Sequence, residues 1–456
     1  MSNRLPDTPD RDNIRTLSKI LLTAFLLVAT ALLFWSLIRA SSILARNDNP
    51  RLVEAELRIQ RGLIVDRHET ILAKNIGPPE IQQRYYPFPE IGPAIGYYSL
   101  KYGTSGAEGG FDSILRGENE NPTDVLRRQA LHLPQVGGDV QLALDADLQE
   151  KTRSLLEKRG GAVLLLEMPR DGSSRAWIRV LSSYPGYDPN LLDEQFDELG
   201  ANERAPLLNR VTQGQYQPGL LLQPLILASA LEQGLIQLDD SITDPQRPVA
   251  LNGMATQCAS QPPDSATWAD VLLHRCPAPM QDLADQLGTG GLDAIFAAFG
   301  LDRDPVLEID TTTTPDEPLA DPLLAGIGQD NLSITPLKIG LAMAALARNG
   351  ALPQPQLAMA VSEKEGGWQE VDLETEPRQA VSGEAARTIR QVLSKQDSIH
   401  EFSPLVLSGP EGSTNAWYVG MSASETADYV VIVVLEGSHE ESTAQKIGRG
   451  VISAIQ

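Results

Sequence analysis

Residues 415–423 read NAWYVGMSA and residues 428–437 read DYVVIVVLEG, two runs rich in Val, Ile, Tyr and Trp that are joined by a polar turn. Such runs predict two strands, and the polar-apolar pattern from about Ser442 to Ile455 predicts an amphipathic helix after them. Far upstream, DVQLALDA begins a strand near Gly137, a helix is expected around Asp147 to Arg159 with Leu148, Leu155 and Leu156 on one face, and GAVLLLEM continues as a strand from Gly161. Between these ends, residues 207–234 read as a Tyr-Gln-Pro-Gly turn opening a helix that is apolar nearly all round, a helix for the interior of a larger core. The chain then reads as helical and loop-rich up to about Ser394. A strand-helix-strand start, a helical middle and a hairpin-helix end imply an α/β domain whose sheet is assembled from both ends of the sequence.

With 456 residues, 42% hydrophobic and 21% charged, the chain can bury a sizeable core, and its length suggests about three domains. Sixty acidic against 37 basic residues leave a net charge of −23, which repels phosphate backbones and excludes nucleic acid as a partner. Two cysteines exclude a disulfide framework. The five histidines (His68, His132, His274, His400, His439) lack the paired spacing of a zinc site, so neither metal nor cofactor is expected.

From Ile20 to Leu37 the chain is an uncharged apolar stretch of bilayer-spanning length, bracketed by Lys19 and Arg39. It is longer than the apolar region of a cleaved signal peptide, and Trp35 sits where an interfacial aromatic would, so it reads as a retained anchor. Arg4, Arg11, Arg15 and Lys19 precede it and favour a cytoplasmic N-terminus, with everything after Arg39 outside. An oxidising exterior lets Cys258 and Cys276 pair, although two cysteines can equally remain small buried apolar groups; pairing is the expectation carried forward. Residues 51–135 mix short strand-like runs such as ELRIQRGLIV with Gly and Pro turns and include a polar loop, GENENPTD. They read as a separate small module.

Arg61-Gly62-Leu63-Ile64-Val65-Asp66-Arg67, followed by Ile71-Leu72-Ala73, resembles the RGxIxDRxGxxLA signature of the N-terminal module of class B penicillin-binding proteins. In the same order as in that family come Arg84-Tyr85-Tyr86-Pro87, Ile95-Gly96-Tyr97, Tyr102 to Glu108 (YGTSGAE) and Leu115-Arg116-Gly117. Its transpeptidase domain is resembled by Asp145 with Leu148-Gln149, Ser182 to Asn190 (SSYPGYDPN), Asn209-Arg210, Gly328-Gln329, Thr335-Pro336-Leu337 and Asn415 to Gly420. The matches run over roughly residues 50 to 440. The resemblance implies an antiparallel sheet flanked by helices with an all-helical subdomain, and an extracytoplasmic relative of the enzymes that cross-link peptidoglycan stem peptides. It divides the chain into a cytoplasmic tail at 1–19, a membrane helix at 20–38, the N-terminal module at 39–135 and a transpeptidase-like domain at 136–456.

Acyl transfer to a serine requires a hydroxyl nucleophile, a base within reach of its proton and donors for the oxyanion. In the family, a Ser and a Lys three residues apart at a helix start supply the first two. Tyr216-Gln217-Pro218-Gly219 resembles the family's YxPGSxxKP, yet Leu220 holds the serine position and Gln223 the lysine position, with Pro224 retained. Leu has no heteroatom and an amide has no usable basicity. No Ser is followed by Lys at the third position anywhere; Thr335 with Lys338 and Thr443 with Lys446 are the nearest exported substitutes.

The S-x-N motif aligns with Arg275-Cys276-Pro277, after His274, which reads as a surface or capping residue at a helix end rather than a base. Arg275 is permanently protonated and Pro277 has no side-chain donor. The K-T-G motif aligns with Pro410, Glu411 and Gly412, of which Gly412 alone matches; Glu411 would repel the substrate carboxylate that the Lys attracts. Three losses on one scaffold point to a fold kept for something other than catalysis. The expectation is a membrane-anchored pseudoenzyme that acts as partner or scaffold in cell-wall synthesis, in division or elongation, with a membrane-embedded glycosyltransferase as a candidate partner. The rivals are an active transpeptidase or carboxypeptidase with another nucleophile, such as Ser408 or Ser413, and a sensor that binds peptidoglycan peptide without cleaving it.

Overall fold

The computed structural model describes residues 10–35, 56–78, 81–118, 127–128, 130–131, 133–251, 253–313, 317–362, 367–371, 378–408 and 412–455. Most of the polar loop at 117–124, His132, Pro410, Glu411 and positions 36–38 of the expected span lie outside these residues. The chain divides into two units, residues 1–59 with 78–82, and residues 60–77 with 83–456.

The first unit carries helix α1, Asp10–Leu33. Its stretch Asn13–Leu33 is 21 residues with mean hydropathy 2.0 and is the one helix, among the described residues, long and apolar enough to cross a membrane. At about 1.5 Å per residue it spans the roughly 30 Å of a hydrocarbon core. The hydroxyls of Thr23 and Thr30 donate to the carbonyls of Lys19 (2.8 Å) and Leu26 (2.7 Å) one turn back, so neither is left unpaired.

The second unit is organised by an eight-stranded sheet. Its strands are β1 (Gly161–Pro169), β2 (Arg175–Tyr184), β3 (Gln354–Gln356), β4 (Ser394–Gln396), β5 (Ile399–Phe402), β6 (Leu405–Leu407), β7 (Thr414–Ala423) and β8 (Ala427–Leu435). The order is β3-β2-β1-β8-β7-β5-β4, with β6 also on β7. All pairs are antiparallel except β3 with β2, and β8 lies directly on β1 from Ala427 opposite Pro169 to Leu435 opposite Gly161. The two ends of the sequence therefore meet at the sheet's centre.

The unbroken apolar runs of β1 and β8 have a structural consequence: both faces of the sheet are covered. Leu164, Leu166, Ile432 and Val434 belong to one core cluster, and Val163, Leu165, Val431 and Val433 to another. Among the helices of the unit are α2 (Ala146–Leu156), α3 (Gln223–Glu232), α4 (Trp268–Leu273), α5 (Pro277–Ala298), α6 (Pro336–Ala347), α7 (Gly383–Val392) and α8 (Glu441–Ser453). Leu148 and Leu156 of α2 and Ile447, Val451 and Ile452 of α8 close the second cluster. Residues of α3, α5, α6 and α7 fill the first. The Asp145 carboxylate caps α2 by accepting from the Leu148 N–H at 3.1 Å, and Thr335 caps α6 by accepting from Lys338 N–H at 3.2 Å. Helix α2 ends at Leu156, before the expected Arg159, because Glu157 and Lys158 both take positive φ (46° and 66°).

A second, six-stranded sheet joins Trp368–Glu370, Ala358–Ser362, Asp139–Leu142, Ile64–Val65, Ile71–Ile76 and Gln83–Tyr85 in that order. Of the strand-like run 56–65, Ile64–Val65 alone is strand. Strands at 354–356, 358–362, 368–370 and 378–379 occupy part of the stretch expected to be helical and loop-rich before Ser394. Beside this sheet the signature residues converge: Glu108 is fully buried and accepts from Arg61 Nη2 (2.9 Å) and Arg84 Nε (2.5 Å), while Arg61 Nη1 reaches Asp112 at 2.6 Å.

Candidate active site

The turn Tyr216–Gly219 is held from two sides. Tyr216 exchanges backbone hydrogen bonds with Ile334 (3.0 and 2.9 Å), and its phenol donates to Glu436 Oε1 at 2.8 Å, an oxygen that also accepts from Arg210 Nε at 2.8 Å. Burial, reinforced by the Glu436 charge, holds the Tyr216 phenol far above its ordinary pKa, so it stays a donor. Gly219 has φ +52° and donates its N–H to Gly328 O at 2.9 Å; a Cβ there would stand 2.6 Å from Val406 of β6. Residues Gly219–Leu222 make a 3-10 turn that feeds α3 at Gln223.

Leu220, at the expected nucleophile position, is half-buried against the main core cluster. Gln223, at the expected lysine position, is 0% exposed; its Nε2 donates to Val271 O at 3.0 Å, and its Oε1 has no hydrogen-bond partner among the described residues. The amide thus binds the backbone of α4.

The Arg275-Cys276-Pro277 turn links α4 to α5. Helix α4 starts in a capping box in which Thr267 N–H and Oγ1 both donate to Asp270 Oδ2 (2.8 and 2.9 Å), and ends at His274. His274 Nδ1 shares a hydrogen bond with Ser260 Oγ at 2.8 Å. Arg275 takes φ +51° and turns its guanidinium onto Glu441 at the start of α8, with Nη2 at 2.9 and 3.2 Å from the two carboxylate oxygens. Burial pushes the Glu441 carboxyl up from its ordinary range, with Arg275 pulling the other way. Cys276 is fully buried and bonded to Cys258, and Pro277 begins α5, where a missing N–H costs nothing.

Of the third motif, Gly412 is described, with φ +74°. Ser408 N–H donates to Ser413 O at 2.8 Å, and Ser413 is exposed. Beyond it, Thr414 Oγ1 donates to Ser438 O at 2.7 Å and lies 2.8 Å from His439 Nδ1. The substitute pairs stand elsewhere. Thr335 and Lys338 are buried, with Lys338 Nζ 3.0 Å from Asp304, and Thr443 Oγ1 donates to Glu440 at 3.3 Å. A polar cavity of about 300 Å³ among Arg67, His68, Lys151 and Tyr429 includes none of Leu220, Gln223, Arg275, Pro277 and Gly412.

Sequence reasoning missed Glu436, Glu441 and Met254, the last packed near Gly412. Arg210 and Tyr216 were visible as motif matches, but their common partner lies 226 and 220 residues away and carries no local signal.

Residues 173–400 match the family described as the penicillin binding protein transpeptidase domain. The peptidoglycan D,D-transpeptidase PbpA of Mycobacterium tuberculosis is 25% identical over 495 residues, covering 96% of this chain and 98% of the relative. The enzyme of the same name from Mycolicibacterium smegmatis is 25% identical over 422 residues, covering 81% and 84%. Among solved structures, penicillin-binding protein A from M. tuberculosis, as an imipenem acyl-enzyme complex, superposes with a TM-score of 0.77 at 24% identity, covering 88% of this chain and 100% of that one. Fold, motif order and family match agree: the chain belongs to the penicillin-binding protein transpeptidase domain family, as a class B penicillin-binding protein.

Proposed function

We propose that this chain is a non-catalytic member of its family: a membrane-anchored partner or scaffold in peptidoglycan synthesis, serving division or elongation. In this reading, α1 anchors the chain with residues 1–19 in the cytoplasm, the span at 20–38, and the module at 39–135 and the transpeptidase-like domain at 136–456 outside. A membrane-embedded glycosyltransferase is the class of partner that suits such an anchored arrangement. The observation that carries the reading is Gln223: the position that should hold the base is a fully buried amide spent on Val271 O, one turn from a leucine that cannot attack a carbonyl. Arg275 supports it, because its guanidinium is engaged with Glu441 where the family needs a neutral hydroxyl to relay protons.

The test is release of D-alanine from a D-Ala-D-Ala-terminated pentapeptide by the detergent-solubilised full chain. No release above the protein-free background is expected. Sustained release that stops when Ser408 and Ser413 are changed to Ala would replace this reading by that of an enzyme with a displaced nucleophile.

A further inference from the structure

The polar cavity of about 300 Å³ is walled by elements that are fixed to one another. The turn that carries Arg67 and His68 is held by Asp66, a buried carboxylate that accepts from the N–H groups of His68 and Thr70 (2.8 Å each) and from Ala146 N–H, at the start of α2, at 3.2 Å. Arg67 N–H donates to Leu144 O at 3.0 Å, and its carbonyl accepts from Gln141 Nε2 at 3.3 Å. Glu167 of β1, Arg179 of β2 and Tyr429 of β8 line the same space, as do Asp147 and Lys151, which are one turn apart on α2 and so share a face of it. These walls stand in place before any ligand arrives, which spares a ligand the cost of ordering them.

The charged groups of the lining divide into those already committed and those that are not. Glu167 Oε2 and Oε1 accept from Arg179 Nε and Nη2 at 2.8 and 3.0 Å, a bidentate pair in which each charge answers the other. Asp145 caps α2 and lies 3.4 Å from His68 Nε2. The Arg67 side chain has one long contact among the described residues, Nη1 to Glu167 Oε2 at 3.5 Å. The side chains of Lys151, Asp147 and Tyr429 have no hydrogen bond or ion pair among the described residues. Two cations, a phenol and one carboxylate thus line the cavity uncommitted.

We propose that this cavity binds a free amino acid as its zwitterion. Arg67 and Lys151 hold the carboxylate, with Tyr429 donating to it, and Asp147 holds the ammonium. The planar guanidinium of Arg67 suits the two oxygens of a carboxylate, and the volume is at the lower end of the range of ligand pockets, about 300–1,000 Å³, which favours a small ligand. A simple anion would leave Asp147 opposing it, and a simple cation would leave Arg67 and Lys151 opposing it; a ligand with both charges satisfies all three. The proposal goes beyond the proposed function and does not depend on it, since binding is read without turnover and neither Leu220 nor Gln223 lines the cavity.

The test is saturation-transfer NMR of D-alanine and of L-alanine, each titrated against the detergent-solubilised full chain. Saturable binding of at least one hand is expected, with a Kd of about 1 mM. Lys151→Ala and Asp147→Asn, both at exposed positions of α2, are each expected to weaken it about fivefold, and Arg67→Gln about tenfold. Of the hand that binds, the N-acetyl analogue lacks the ammonium and the amide analogue lacks the carboxylate, and each is expected to bind about fivefold more weakly or worse. No saturable binding of either hand overturns the proposal. Binding that Lys151→Ala or Asp147→Asn leaves unchanged also overturns it, because that half of the zwitterion is then held elsewhere, and so does an N-acetyl analogue that binds as tightly as the parent amino acid, which makes the cavity a carboxylate site only. Should Arg67→Gln not fold, the two exposed variants decide. D-alanine release is read separately, so failure of the cavity to bind leaves the catalytic question untouched.

Discussion

At the scale of single residues, Leu220 and Gln223 are not undone by two substitutions alone. Restoring Ser and Lys there rebuilds the nucleophile and its base, yet the lysine would enter a fully buried position whose polar partner is one backbone carbonyl already accepting from Cys276. An unpaired buried ammonium costs several kcal/mol or loses its proton, and either outcome is paid by the fold or by the mechanism. Arg275 keeps its fixed charge and Pro277 still offers no donor. The double variant Leu220→Ser with Gln223→Lys is therefore expected to fold less stably than the parent and to release no D-alanine. Turnover well above the parent's background would show that Arg275 and Pro277 have been overread. The identity of these positions was legible in the sequence because the Tyr-Gln-Pro-Gly turn survives next to them. Their present partners were not. Val271 and Glu441 stand 48 and 166 residues from the side chains they hold, and nothing local announces such pairs. The same holds for Arg61, Arg84 and Glu108, which were recognisable as separate signature positions, whereas their gathering around one buried carboxylate belongs to the fold.

At the scale of elements, the long strands announced themselves and the short ones did not. Runs such as GAVLLLEM and DYVVIVVL are apolar on both faces, which only a covered central strand tolerates, and they became β1 and β8. β3 is three residues, Gln354-Pro355-Gln356, with a proline at its centre; among the described residues it pairs only with β2, at the sheet's rim, where a missing ladder donor is tolerated. No periodicity can be read from so short a strand. Helix α8 illustrates close packing against β7: a methyl at Gly448 would lie 2.1 Å from Cδ1 of the fully buried Tyr418 ring. Gly448→Ala is expected to cost about 1–3 kcal/mol despite alanine's better helix propensity, read as a lower urea midpoint. A midpoint equal to or above the parent's would contradict this packing. His400 on β5 gives the pH prediction. Burial first, and then the charges of Arg390 and Lys395, lower its pKa from the ordinary value of about 6.5. The folded state therefore holds the ring neutral where the unfolded chain already binds a proton. The contribution is present above about pH 6.5 and is lost as the pH falls toward the folded pKa. Comparing His400→Gln with the parent, the parent's unfolding midpoint should fall more steeply between about pH 7 and pH 5; parallel slopes would remove His400 as the cause.

At the scale of the whole molecule, the family scaffold is present while Leu220, Gln223, Arg275 and Pro277 stand where the family's reactive residues are expected. The centre of the sheet joins residues 161–169 to 427–435, and a chain that keeps this pairing must keep nearly everything between them in register. That explains why ordered motif matches from Arg61 to Gly420 would persist in a chain that is non-catalytic as proposed: turns such as Tyr216–Gly219 and glycines such as Gly328, packed against Gly219, are demanded by the fold itself. The anchor was legible for a different reason, since a run of apolar residues as long as Asn13–Leu33 needs no partner elsewhere in the sequence to be recognised. If the chain is non-catalytic as proposed, it forms no acyl-enzyme. The measurement that addresses it most directly is the intact mass of the detergent-solubilised full chain after prolonged incubation with excess benzylpenicillin. An unchanged mass is expected; a shift equal to one penicilloyl group per chain would contradict the non-catalytic reading.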